Sequence, residues 1–183
     1  MATPIGARFE GSVLARARDV RVLLTDIDGV WTDGGLWFDS HGEHLKRFHT
    51  LDGHGVGLLA AAGVALVVIS GRDSAPLRHR LQALQVTRVH LGVTDKRLAG
   101  EQALAALGMS WSVAAAIGDD WPDLAMMRPA TLAMAPPGAH AEVLACAHHV
   151  CRAPAGAGAF REACDLILTA NGAYDRLLKE AAP

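Results

Sequence analysis

Short apolar runs recur along this chain at intervals filled by helix-like segments, and no other feature restricts the fold as much. They lie at Val20–Thr25, Val64–Ile69, Val113–Ile117 and Thr131–Met134, with weaker ones at Val86–Leu91 and His148–Cys151. Continuous rather than alternating apolarity is the mark of strands buried on both faces. Helix starts fall between the runs: Asp52 as cap of a helix over Gly55–Ala62, Ser74 as cap of one with Pro76 in its first turn, and Thr94 or Asp95 as cap of one ending near Leu107-Gly108. Alternation of this kind predicts an α/β domain, a parallel sheet with helices on both faces.

One segment breaks the alternation. Gly35–Asp39 and His44–His49 read as short strands around the turn Ser40-His41-Gly42, a projecting hairpin that carries Trp37, Phe38, Leu45 and Phe48. A lone two-stranded hairpin is marginal in water, so this one is expected to pack on something, a neighbouring subunit being the expected surface.

The 183 residues, 51% of them hydrophobic, suffice for a single domain over 1–183, with its core at about 20–171 and a flexible C-terminal tail. There is no internal repeat and no separating linker. A net charge of -2 lacks the basic excess that binding a phosphate backbone requires, which argues against a nucleic-acid partner. Arg8, Glu10, Arg16, Arg18 and Asp19 interrupt the first twenty residues, and no apolar run approaches the roughly 18 residues needed to span a bilayer. No membrane association and a cytoplasmic location are expected. Cys146, Cys151 and Cys164 lack the close pair of a structural zinc site and are expected to be buried free thiols, even with His148 and His149 nearby.

Polar residues follow the strands in a telling order. Asp26 and Asp28 follow the first run, Ser70-Gly71-Arg72 the second and Gly118-Asp119-Asp120 the third, while Lys96 opens a helix after the weak Val86–Leu91 run. In a parallel sheet the carboxyl ends of the strands share one edge, where open α/β folds bind ligands. Asp26, Asp28 and Asp119 would repel one another there without a cation, and all-oxygen donors suit Mg²⁺. With charge neutralised, Asp26 would be a nucleophile toward phosphorus and Asp28 the acid and base for leaving group and water. Ser70, the backbone at Gly71 and the Lys96 ammonium would hold the phosphoryl oxygens. Such a set suffices to hydrolyse a phosphate monoester. Asp120 and Asp123 would serve behind the metal or as helix caps. Arg72 and Arg80 would grip a substrate carboxylate in a bidentate fork or form surface salt bridges. Asp33, Asp52 and His54 would shape the site or substrate contacts, with helix capping as the plainer role for Asp52 and His54.

These residues resemble the haloacid dehalogenase superfamily, whose four motifs match Asp26-Ile27-Asp28-Gly29, Ser70-Gly71-Arg72, Lys96 and Gly118-Asp119-Asp120-Trp121-Pro122-Asp123. Within it, Asp28-Gly29-Val30-Trp31-Thr32-Asp33-Gly34, Phe48-His49-Thr50-Leu51-Asp52-Gly53-His54-Gly55 and Gly158-Ala159-Phe160-Arg161-Glu162-Ala163-Cys164-Asp165 resemble the 3-deoxy-D-manno-octulosonate 8-phosphate phosphatase family, over about Val20 to Asn171. The resemblance implies a Rossmann-like sheet with no cap domain, a Mg²⁺ requirement, a phosphorylated sugar-acid substrate from lipopolysaccharide inner-core synthesis, and a homotetramer whose hairpins and tails help close neighbouring sites. Two departures, Gly57 and Pro154-Ala155-Gly156-Ala157-Gly158, fall where the family usually carries basic or extra glycine residues. They leave a sialic-acid-type 9-phosphate as alternative substrate; a non-catalytic oligomerisation module is the alternative class, against which the intact Asp26 and Asp28 pair speaks.

Overall fold

A computed structural model describes residues 5–181. In chain order they form α1 (Gly11–Ala17), β1 (Val22–Thr25), β2 (Trp37–Asp39), β3 (Gly42–Leu45), α2 (Thr50–Ala61), β4 (Ala65–Ile69), α3 (Ala75–Ala83), β5 (Val89–His90), α4 (Lys96–Ala106), β6 (Ala114–Ile117), α5 (Leu124–Met127), β7 (Leu132–Ala135), α6 (Ala141–Cys146), β8 (His149–Val150), α7 (Ala159–Ala170) and α8 (Ala173–Ala181). Six strands make one sheet in the order β5-β4-β1-β6-β7-β8, every pairing parallel, and β2 with β3 makes the separate antiparallel hairpin. The expected α/β, Rossmann-like sheet with a projecting hairpin and no cap domain is what the chain forms. No helix among the described residues is long and apolar enough to cross a membrane.

Alternate residues of each strand feed opposite layers, as the two-residue strand period requires. Leu23, Leu66, Val68, Ile117 and Met134 pack with Phe9, Val13, Leu59, Leu77 and Phe160 on one face. Val22, Leu24, Val67, Ile69 and Ala116 pack on the other with Ala99, Ala103 and Leu104 of α4, Met126 and Met127 of α5 and Val143 of α6. The all-small run of β6, Ala114-Ala115-Ala116, lets layers come close. Gly100 does the same on α4, where a side chain would press Trp111 and the Leu24 methyl.

Several expectations are corrected. Asp52 does not cap α2: that helix begins at Thr50, and the His49 Nδ1 accepts from the Leu51 N–H at 3.2 Å. The second hairpin strand ends at Leu45, and residues 46–49 leave the ladder. Packing also reaches beyond residues 20–171, since Phe9, Val13, Ala17 and Leu177 join the core, and the expected flexible tail is helical through Ala181. Asp95 caps α4 as expected, accepting from the Leu98 N–H at 2.9 Å, whereas Ser74 stands before α3 without capping it, its hydroxyl donating to Glu43 at 2.7 Å instead. Cys151 and Cys164 are buried free thiols, whereas Cys146 is only partly covered.

Register explains the convergence of distant residues. Thr25 lies beside Val68 on one side and Ile117 on the other, so the next step along each strand delivers Asp26, the Ile69-Ser70 pair and Gly118 to one edge. The chain runs outward from β1 to β4 and β5, then returns to β6. The strand order therefore reverses at β1, where a crevice opens beyond the strand ends.

Candidate active site

The loop after β1 is tightly wound. The N–H groups of Val30, Trp31 and Thr32 all point at the Ile27 carbonyl, at 3.1, 2.8 and 3.2 Å. Inside it the Trp31 indole donates to Thr25 Oγ1 at 3.0 Å, and that hydroxyl donates to the Asp26 carbonyl at 2.6 Å. Trp31 is buried against Phe160 of α7. In the sequence this tryptophan is one residue of a motif; in the structure it anchors the turn that carries Asp26. Gly29 has φ +88°, and a Cβ on it would overlap the Asp119 carboxylate. Only glycine permits both that backbone and that proximity.

Asp26, Asp119 and Asp123 each bring a carboxylate oxygen within 4.8 Å of the other two. Lys96, at the N-terminus of α4, reaches into them, donating to Asp26 at 2.5 Å and Asp123 at 2.6 Å. Asp123 is further held by the N–H groups of Asp119 and Asp120, at 2.9 and 3.1 Å, which makes it the internal partner of the lysine. The Asp120 side chain is exposed. Burial pushes the Asp26 carboxyl up to about 7, with Asp123 adding and Lys96 opposing. Burial likewise carries Asp119 to about 7, with Asp26 and Asp123 adding. Lys96 does not fully offset the crowded carboxylates, since both acids stay raised beside it, and the donors are all oxygen. Both properties fit a hard divalent cation at Asp26 and Asp119.

Asp28 faces the other way, toward the hairpin. Its Oδ1 accepts from Lys46 Nζ, Arg72 stands 4.0 Å from its Oδ2, and Oδ2 is buried without a hydrogen-bond partner among the described residues. Lys46 is fully enclosed and also meets Glu43 at 2.9 Å. Glu43 in turn takes two bonds from the Arg72 guanidinium, at 3.2 and 3.0 Å, and one from Ser74 at 2.7 Å. Burial alone would raise the Glu43 carboxyl, but these donors outweigh it and hold it low. The hairpin therefore packs on its own chain through polar side chains, while Trp37, Phe38 and Leu45 stay exposed. Arg72 becomes available to a substrate carboxylate only by exchange with Glu43. Glu43 and Lys46 were missed in the sequence because charged residues in a short hairpin look like an ordinary solvated face.

Other candidates sort by position. Ser70 is buried at the end of β4, its Oγ accepting the Arg72 N–H at 3.1 Å, and Gly71 follows it beside the Val93 carbonyl. Arg80 does not join the cluster: it lies over the Phe48 ring, with Nη2 3.5 Å from the His49 carbonyl. Asp33 pairs with Arg47 at the surface, and His54 meets Arg161 of α7. Asp52 is buried in α2 and accepts the N–H groups of Gly158 and Arg161, at 3.3 and 2.8 Å, capping α7 from another helix. That cap orients the loop carrying Gly156, whose N–H donates to the Val30 carbonyl at 3.1 Å.

An aspartate pair just beyond the central strand and a lysine-bridged carboxylate cluster, with only a hairpin beside them among the described residues, mark a hydrolase of the haloacid dehalogenase class. A Legionella pneumophila hydrolase of that superfamily, subfamily III A, matches with TM-score 0.88 and 37% identity over 92% of this chain and 93% of that one. No family model matches the chain. The 3-deoxy-D-manno-octulosonate 8-phosphate phosphatase of Yersinia pestis is 39% identical over 159 residues, 87% of this chain and 85% of the relative. The Moraxella catarrhalis enzyme of that name, crystallised with magnesium ion, phosphate ion and KDO, matches with TM-score 0.91 and 31% identity over 94% of this chain and 99% of that one. The chain belongs to the 3-deoxy-D-manno-octulosonate 8-phosphate phosphatase family.

Proposed function

We propose that the protein is a Mg²⁺-dependent phosphatase that releases phosphate from 3-deoxy-D-manno-octulosonate 8-phosphate. The supporting observation is the Asp26 carboxylate, enclosed at the switch point of the sheet between Lys96 and Asp119. In this reading an Asp26 oxygen bonds to phosphorus as the bond from phosphorus to the C8 oxygen breaks. Asp28 supplies the proton that leaves with the sugar alcohol, then takes one from the water that frees phosphate from Asp26. Its buried Oδ2, without a hydrogen-bond partner among the described residues, is the oxygen left to carry that proton. Ser70, the Gly71 N–H and Lys96 hold the phosphoryl oxygens, and Asp123 positions Lys96. Asp26 and Asp119 would hold Mg²⁺, which would offset negative charge on carboxylate and phosphate; the Asp28 side chain, expected as a third ligand, is turned to Lys46 instead.

A cytoplasmic homotetramer in lipopolysaccharide inner-core synthesis completes the proposal. The exposed Leu36, Trp37, Phe38 and Leu45 support hairpin-mediated assembly, because such a patch is costly to leave in water. Light scattering tests it: a monomer at micromolar concentration would rule it out. Phosphate release is to be measured with Mg²⁺ across the eight-carbon ester, sialic-acid-type 9-phosphates and simple sugar phosphates. Preference for the first is expected, and Asp26→Asn should abolish it. Preference for a nine-carbon ester would replace the substrate, and retention of activity in Asp26→Asn would remove the mechanism.

A further inference from the structure

A second cluster of donor side chains lies away from the Asp26 site, at the β8 edge of the sheet. His149, Cys151 and Glu162 each bring one ligand atom within 4.8 Å of the other two. The first two sit two residues apart, and the Cys151 N–H extends the β8 ladder by donating to the Ala135 carbonyl at 2.8 Å. The strand period therefore turns both side chains to one face while Val150 between them points outward and is exposed. Glu162, on the first turn of α7, meets them there, its Oε1 3.0 Å from His149 Nε2. The Cys151 thiol has one weak partner, the Ala159 carbonyl at 3.5 Å. Glu162, though not His149 or Cys151, also lines a cavity of about 410 Å³.

The geometry points to a binding site for a thiophilic divalent cation of the Zn²⁺ or Co²⁺ type, made by His149, Cys151 and Glu162 and separate from the Mg²⁺ site. Sulfur and imidazole suit such ions and not Mg²⁺, whereas Asp26, Asp119 and Asp123 offer oxygen alone, so the two sites differ in chemistry as well as place. Binding releases the thiol proton to solvent, leaving thiolate, imidazole and carboxylate on the ion. In the metal-free protein the Glu162 carboxylate already takes the N–H groups of Arg152 and Ala153, at 3.0 and 2.9 Å. The ion would therefore tie β8 to α7 across the loop that reaches Val30.

The test adds one equivalent of Co²⁺ to protein held in saturating Mg²⁺ and reads the near-ultraviolet absorbance. A sulfur-to-cobalt charge-transfer band is expected, because the Mg²⁺ site has no sulfur to produce one. Cys151→Ser should remove the band and leave Mg²⁺-dependent phosphate release within about twofold of wild type, while Cys146→Ala should keep it. Zn²⁺ should raise the melting temperature of wild type and not of Cys151→Ser. Absence of the band, or its survival in Cys151→Ser, would overturn the site. Should that variant fail to fold, anomalous scattering from a Zn²⁺-soaked wild-type crystal decides: a peak between His149 and Glu162 supports the site and none there refutes it.

Discussion

Replacing Asp119 by Asn should make the metal-free protein more stable while destroying its Mg²⁺ response. The Asp119 carboxyl is lifted from an ordinary 3.8 to about 7, first by burial, then by Asp26 and Asp123. A folded-state value above the unfolded one means that the native state binds the extra proton between those limits. The cost of folding is therefore absent below about pH 3.8, grows as pH rises, and is complete above about 7. At ~1.36 kcal/mol per tenfold shift in proton affinity the ceiling is ~4 kcal/mol, and solvent screening at a partly open site cuts that to roughly 2 kcal/mol. Asparagine keeps the shape, removes the charge and forfeits no bond, since the Asp119 carboxylate accepts none among the described residues. For a chain of this size, ~2 kcal/mol is a rise of about 4–8 °C in melting temperature. Thermal unfolding in chelator at pH 8 and pH 4.5 measures it: a clear rise at pH 8 and a much smaller one at pH 4.5 are expected. An unchanged or lower melting temperature at pH 8 would refute the view that the site stores uncompensated charge.

Mg²⁺ affinity should fall as pH drops through about 7, because Asp26 and Asp119 must lose protons to bind; calorimetry in buffers of different ionisation enthalpy should show net proton release. Gly29→Ala should yield a folded protein with activity reduced about 10²-fold, since the added methyl displaces Asp119 from its position; near-normal kcat would contradict the close approach. Asp52→Ala strands the N–H groups of Gly158 and Arg161 and should cost ~1–3 kcal/mol in denaturant melts, mostly recovered by Asp52→Asn if one acceptor suffices. Lys46→Met should lower kcat about tenfold and speed proteolysis of the hairpin, as Asp28 and Glu43 lose their shared cation; unchanged cleavage would argue that Arg72 and Ser74 alone hold it.

How much of the site could be read beforehand depended on how locally each role is encoded. Asp26, Asp119, Ser70 and Lys96 were legible because each directly follows a buried strand or opens a helix, and parallel pairing brings strand ends together. Asp123 was visible as a residue but not as the partner of Lys96, which depends on the turn after β6. Arg80 sits within α3, and only packing shows that its guanidinium goes to the Phe48 ring and the His49 carbonyl rather than to the carboxylate cluster. Asp52 looked like the cap of its own helix, and it caps α7, more than a hundred residues away.

The amino-acid sequence by itself determined the class of fold, the strands that lie in the core and the edge where the acidic residues gather, because hydrophobic period and strand-end position are local properties. Only the tertiary structure decided the turning of Asp28 to Lys46, the lock of Glu43 on Arg72, and the meeting of His149, Cys151 and Glu162. Each depends on which side of which element a long polar side chain finds its partner. That choice is made by packing across many residues and leaves no mark on the neighbouring sequence.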